Sequence, residues 1–164
     1  MAKVNPEILT ETPATAVLAD AGVPYAIHSY CADPEQTSSG VAAATLLGID
    51  PRRIFKTIIT ACGEGYVAGV VPVAGSLDTT ALAAAVGRQS AELVEPEVAE
   101  QIGGAALGCI SPFGLADGVD IVVDTAAMTF QSMLVDGGTR GIAIEVFPQH
   151  VVNLLRARVA PISV

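Results

Sequence analysis

The sequence predicts a single α+β domain organised around a mostly antiparallel or mixed sheet. Three observations predict it. The chain has 164 residues, of which 51% are apolar, enough for one real core and too few for two comfortable domains. Its apolar segments are short, β-branched or alternating, and cut by Gly and Pro, the pattern of strands rather than of long helices. The order of elements interleaves hairpins with short capped helices, which suits an α+β layout better than a run of βαβ units.

Taken in order, residues 1–11 read as an N-terminal extension and 12–164 as the domain. Thr12-Pro13 supplies an N-cap followed by proline at the first helical position, and Gly22 a stop, so a helix is expected over Pro13 to Ala21. Tyr25 to Tyr30 alternates as a strand. A polar turn-rich stretch, Asp33 to Ser38, precedes a second helix from Val41 to Leu47 with Ser39 as its cap and Gly48 at its end. Asp50-Pro51 repeats the cap-then-proline signal for one turn, which delivers the chain into the strand Ile54-Phe55-Lys56-Thr57-Ile58-Ile59. Gly63-Glu64-Gly65 connects the apolar runs Ile58 to Cys62 and Tyr66 to Val71 as an antiparallel hairpin near the centre of the sheet. Asp78 caps a helix from Thr79 to Val86, and Gly87 ends it. Ala91 to Val94 is a weak strand, and Glu95-Pro96 opens a helix that stops at Gly103-Gly104. After the glycine- and proline-punctuated loop 108–114 come a strand over Asp120 to Asp124, a helical turn over Ala126 to Phe130 and a strand over Ser132 to Val135. Gly137-Gly138 turns the chain into Gly141 to Val146, and Pro148 to Arg156 is the last helix.

Composition narrows the function. Eight basic residues stand against 17 acidic ones, which disfavours binding of nucleic acid by the surface as a whole and leaves a local patch as the only route. The cations available are Arg52, Arg53, Lys56, Arg88, Arg140, Arg156 and Arg158. No apolar stretch is long enough to span a bilayer; the richest, Tyr66 to Leu77, is interrupted by Gly69, Pro72 and Gly75. Met1 to Glu11 lacks the apolar or basic character of a targeting signal, so a cytoplasmic protein is expected. Cys31, Cys62 and Cys109 are widely spaced and odd in number, which argues for reduced thiols rather than a disulfide framework or a zinc ribbon.

Four local features carry potential chemistry. Lys56 lies inside an apolar strand of a chain with only two lysines; it either snorkels from an edge strand into water or is a cation at a pocket wall that meets an anionic or carbonyl-bearing ligand. His28 ends a strand and is either a base or a hydrogen-bonded structural residue. The 108–114 loop either presents successive amides to an oxyanion or is a packed turn. Residues 136–141 either bring Arg140 onto a phosphate or form a hairpin turn with a solvated arginine. Other chemistries lack support. Ser111 has no nucleophile elbow, His28 and Cys31 lack a second pair of metal ligands, and there is neither a Walker loop nor a dinucleotide fingerprint. No cofactor or metal is expected.

Taken together, Thr12-Pro13-Ala14, Ile27-His28-Ser29-Tyr30, Asp33-Pro34, Phe55-Lys56-Thr57, the segment 71–78, the loop 108–114 and Gly137-Gly138-Thr139-Arg140-Gly141 resemble the YbaK family of aminoacyl-tRNA deacylases, relatives of the editing domain inserted in bacterial prolyl-tRNA synthetase. The resemblance runs from Thr12 to the final helix. It implies a mixed, mostly antiparallel, barrel-like sheet with peripheral helices and a small pocket for the aminoacyl-adenosine end of tRNA. It further implies catalytic roles for Lys56 and Tyr30 and substrate contacts from Thr57, Gly108, Cys109, Ile110, Ser111, Pro112, Gly114, Asp136, Gly137, Gly138 and Arg140.

The form of the 108–114 loop is most similar to the branch that clears cysteine from the proline tRNA, and possibly from the cysteine tRNA, with the substrate's own thiol attacking the ester. Lys56 is then a positioning and charge-stabilising group rather than a general base. The implied partners are the tRNA acceptor end and prolyl-tRNA synthetase in a ternary complex; the oligomeric state is left open. Three positions depart from the family pattern: Thr139 where relatives usually carry lysine, Ala143 where the cysteine-specific relative carries aspartate, and Asp136 in place of a small neutral residue. The alternatives are a deacylase for another small residue, alanine or serine, and a non-catalytic tRNA- or synthetase-binding module.

Overall fold

In a computed structural model, which describes residues 11–30 and 40–164, eight strands form one mixed sheet. They are β1 (Ala26–Ser29), β2 (Ile54–Cys62), β3 (Gly65–Pro72), β4 (Glu92–Leu93), β5 (Asp120–Asp124), β6 (Met133–Asp136), β7 (Ile142–Val146) and β8 (Arg158–Ala160). Five α-helices accompany them: α1 (Pro13–Asp20), α2 (Gly40–Leu47), α3 (Thr79–Ala85), α4 (Pro96–Gly103) and α5 (Pro148–Leu155). The strand order is β1-β7-β6-β2-β3-β5-β8, with β4 beside β2. Among the described residues no pairing joins β1 to β8, so the barrel-like sheet is not closed.

The local signals act as their chemistry requires. Thr12 caps α1 reciprocally: its hydroxyl accepts from Thr15 N–H at 3.2 Å, and Thr15 Oγ1 accepts from Thr12 N–H at 2.7 Å. Asp50 caps a 3₁₀ turn at Pro51–Arg53, and Asp78 caps α3. The hairpin β2–β3 sits in the middle of the sheet, in register from Phe55↔Pro72 to Cys62↔Gly65. Three further pairings, β2–β6, β3–β5 and β5–β8, are parallel. Strand β8 has no counterpart in the sequence reading. The Asp33 stretch, Cys31, Ser39 and residues 1–10 lie outside the described residues.

The main core packs Phe55, Ile59, Val70, Val123, Met133, Val135 and Ile144 against Leu18 of α1 and Val151 of α5. Asp124, 3% exposed, fastens the C-terminal segment to this core, since its carboxylate accepts from the N–H groups of Ala126, Ile162 and Ser163. A buried carboxylate is tolerated when charge-assisted hydrogen bonds replace its hydration. No helix among the described residues is long and apolar enough to cross a membrane.

Candidate active site at a gap in the sheet

The register of β2 creates the site. One edge of β2 is bonded to β3 throughout, whereas the other changes partner: Ile54 and Phe55 pair with β6, and Thr60 and Ala61 pair with β4. Between these ladders, residues 56–59 have no strand on that edge among the described residues. Val73 N–H donates to Ile54 C=O at 2.8 Å, which makes Phe55↔Pro72 a non-hydrogen-bonded pair. By alternation the N–H and C=O of Thr57 then point away from β3, into the gap. A gap in a sheet is open from both faces, so neighbouring side chains that project to opposite sides can line one cavity.

The cavity there has a volume of about 260 Å³ and is lined by Lys56 and Thr57 of β2, by Tyr30 just after β1, by Gly108 and Ile110 of the loop, and by Asp136 at the end of β6. Its remaining walls are apolar, with Ile54, Ile58, Val73 and Leu107 among them, and Ala43, Val135 and Ala143 completing the lining. Apart from Ala143, noted as a departure from the family pattern, sequence reasoning did not single out these apolar residues. An apolar residue in a strand carries the same signal whether it faces core or cavity.

Lys56 is half-buried and makes no ion pair with any described residue. Thr57 is 9% exposed, and its hydroxyl has no hydrogen-bond partner among the described residues. Buried hydroxyls are ordinarily satisfied, so an orphan in a cavity wall is where a ligand's polar atom fits. Burial, then the negative charge of Asp136, raises the Tyr30 phenol above its usual value; Tyr30 therefore stays protonated and is a hydrogen-bond donor. Burial pushes the Asp136 carboxyl up to about 7. The Cys109 thiol is also raised, by burial and by Asp136, against the lowering effect of Arg140, and a thiol so placed is a poor nucleophile.

The other expected residues stand back from the cavity. Ser111 and Pro112 are buried in a 3₁₀ turn at Pro112–Gly114 that packs on α1, and the Ser111 hydroxyl accepts from Phe113 N–H. Cys109 N–H donates to Ala106 C=O and Gly114 N–H to Ser111 C=O. The loop is therefore mostly a packed turn, and only its first part, Gly108 and Ile110, reaches the cavity. Gly137, Gly138 and Arg140 are likewise absent from the lining. The two glycines instead fix the β6–β7 turn: a Cβ on Gly137 would lie 2.6 Å from Ile142 Cγ2, and Gly138 has φ +83°.

His28 is occupied elsewhere. Its Nε2 lies 2.8 Å from Glu145 Oε1, while Glu145 Oε2 accepts from Arg53 at 3.1 Å and from the Ser132 hydroxyl. The Ser132 hydrogen bond, followed by that of His28, holds the Glu145 carboxyl below its usual range. Arg52 is committed to Asp50 at 2.7 Å. Of the cations the sequence offers for a tRNA patch, Arg52 and Arg53 are thus already paired, and Arg140 is exposed. Among the described residues no cluster of His, Cys, Asp and Glu is arranged to hold a metal ion.

Comparisons with known proteins agree with the architecture. Residues 34–154 match the aminoacyl-tRNA editing domain. The chain is 31% identical over 142 residues, 86% of each protein, to the Enterococcus faecalis protein named "Putative Cys-tRNA(Pro)/Cys-tRNA(Cys) deacylase EbsC". It is also 32% identical over 94 residues to the proline-tRNA ligase of Thermosipho melanesiensis, covering 57% of this chain and 16% of the ligase. The crystal structure of a hypothetical protein superposes over 93% of this chain and 100% of its own, with TM-score 0.85 and 22% identity. That of a "putative trans-editing enzyme for prolyl tRNA synthetase" does so over 94% and 98%, with TM-score 0.78 and 20% identity. At those identities the structures establish the shared fold. The sequence matches establish the family: this chain belongs to the aminoacyl-tRNA editing domain family.

Proposed function

We propose that the protein is a trans-editing deacylase that hydrolyses mischarged tRNA in the cavity at the β2 gap, with cysteine on the proline tRNA as its principal substrate and cysteine on the cysteine tRNA as a further one. The observation that carries this reading is that one cavity at the β2 gap is lined both by the Lys56 ammonium and by the Thr57 hydroxyl, the first without an ion pair and the second without a hydrogen-bond partner among the described residues. An aminoacyl ester offers a carbonyl, a ribose hydroxyl and a nearby phosphate, each of which complements one of those groups. The E. faecalis relative's name supplies the amino acid and the tRNA.

Among the described residues no nucleophile activated by a base serves the cavity: His28 is held by Glu145, Tyr30 is kept protonated, and the Cys109 thiol is raised. Chemistry assisted by the substrate fits this inventory. The substrate thiol sulfur forms a bond to the ester carbonyl carbon, the bond from that carbon to the ribose oxygen breaks, and the thiol proton passes to the departing oxygen. Water then opens the thiolactone. Lys56 and the backbone at Gly108 and Ile110 hold the carbonyl and stabilise charge on its oxygen, and Tyr30 donates to the ribose end. Cysteine and proline are too alike in size for a synthetase pocket to separate them by bulk, so a second site is needed.

The apolar walls, with Ala143 and Val135 among them, favour one second reading, clearance of alanine. Comparing cysteinyl- with seryl- and alanyl-tRNA separates the two. Faster loss of cysteine supports the thiol-assisted route, and equal rates for cysteine and serine remove any role for the thiol. The acidic chain binds tRNA weakly by itself, so in this reading prolyl-tRNA synthetase holds the tRNA in a ternary complex in the cytoplasm while the domain samples its acceptor end.

A further inference from the structure

We infer that Asp136 is the receptor for the α-ammonium group of the aminoacyl ester, so that the cavity accepts esters with a free amino group and rejects those whose nitrogen is acylated. This rests on the deacylase reading and adds a substrate requirement to it. Among the described residues Asp136 is the only carboxylate lining the cavity. It makes no hydrogen bond or ion pair with any described side chain, although four groups that titrate or carry charge lie around it: Tyr30 after β1, Lys56 on β2, Cys109 in the loop and Arg140 in the turn. Burial is the one cause of its raised pKa, with no cation opposing it.

An acid set into a wall without a partner is costly unless a ligand completes it. Its place is also fixed. Asp136 pairs across the turn with Ala143, a small residue that also lines the cavity, and the next residue, Gly137, ties the turn by donating its N–H to Ile142 C=O at 2.9 Å. Lys56 and Asp136 come from neighbouring strands at the point where those strands part, and they do not pair with each other. The cavity therefore carries a separated cation and anion. An aminoacyl ester has the complementary arrangement, with an electron-rich carbonyl at one end and an ammonium at the other. Acylating the nitrogen abolishes the second charge.

The test compares hydrolysis of cysteinyl-tRNA with that of its N-acetyl derivative by the wild-type chain, Asp136→Asn and Asp136→Ser. The wild type should prefer the free amine by about tenfold or more in kcat/KM, mainly through KM, as expected for a charged hydrogen bond. That preference should fall as the pH is lowered through about 7, where the carboxyl takes up its proton, and both variants should bring the ratio close to one at every pH. Rejection of the acetyl group by bulk alone would persist in both variants and would overturn the inference, as would equal hydrolysis of the two esters by the wild type. Because the wild-type ratio needs no substitution, a variant that fails to fold does not remove the test. Failure of the wild type to hydrolyse either ester would overturn the deacylase reading as well.

Discussion

Two residues in the β2 gap separate function from stability. Lys56 is half-buried and forms no ion pair with any described residue, so Lys56→Ala should leave the unfolding free energy within about 0.5 kcal/mol of wild type. Deacylation should fall about 100-fold, the scale on which loss of one charge-stabilising donor acts; near-normal activity would remove its assigned role. Thr57→Val should do the opposite to stability. The orphan Thr57 hydroxyl costs roughly 1–3 kcal/mol while empty, so valine should raise stability by about 1 kcal/mol in a denaturant titration while KM for the ester rises.

Asp136 adds a pH dependence with a definite sign. Its folded-state pKa of about 7 lies above the ordinary aspartate value of about 3.9. Between those values the unfolded chain loses this proton while the folded chain keeps it, so fewer protons are bound in the unfolded state and stability declines as pH rises. Below that window both states are protonated and the penalty is absent; above it the penalty is fully present. The slope is at most about 1.4 kcal/mol per pH unit. Asp136→Asn should remove it, so the stability difference between variant and wild type should grow from pH 4 to about 7 and then level off. A constant difference across that range would place the carboxyl in ordinary solvent.

At the scale of elements, the turn between β6 and β7 holds the cavity wall in place. Gly137→Ala puts a methyl group 2.6 Å from Ile142 Cγ2 and 2.8 Å from Ile142 O, and the second contact is backbone that cannot rotate away. Gly22→Ala meets nothing within 4 Å and carries only the strain of φ +69°. Gly137→Ala should therefore destabilise by about 2 kcal/mol or more and lower activity, with Gly22→Ala costing about 1 kcal/mol and sparing activity. Equal effects on activity would mean that the turn does not position the site.

Elements with a chemical punctuation mark were legible in the sequence: Thr12-Pro13, Asp50-Pro51, Asp78 and Gly104 each produce the cap or stop their residue type demands. What eluded the sequence is non-local. The parallel pairings and strand β8 depend on which edges meet, and a three-residue strand carries too little pattern to declare itself. The gap in β2 is the sharpest case. Lys56 is conspicuous as a lysine in an apolar strand, but Thr57, whose hydroxyl is the orphan, borders a gap because the ladder with β6 stops at Phe55, two residues earlier, which no local pattern announces. The loop 108–114 shows the converse: its glycines and proline suggest a cradle of amides, whereas Ser111 and Phe113 turn inward to build the core beside α1.

For the whole molecule the governing quantity is charge. Seventeen acidic residues face eight basic ones, and Arg52 and Arg53 are already paired with Asp50 and Glu145. Lys56 and Arg140 are the cations left near the cavity, which is too few for tight, salt-sensitive binding of tRNA. An anisotropy titration should show weak binding of tRNA alone, with a shallow dependence on salt, and a marked gain when prolyl-tRNA synthetase is present. Tight binding without the synthetase would contradict the ternary arrangement. The most direct measurement of the central claim is the rate at which the wild-type chain and Lys56→Ala clear a panel of aminoacylated tRNAs, namely cysteinyl-, alanyl-, seryl- and prolyl-tRNA(Pro). The account predicts that the wild type clears cysteine fastest, leaves proline intact and loses this activity in Lys56→Ala; turnover of no mischarged tRNA, or undiminished turnover by the variant, would contradict it.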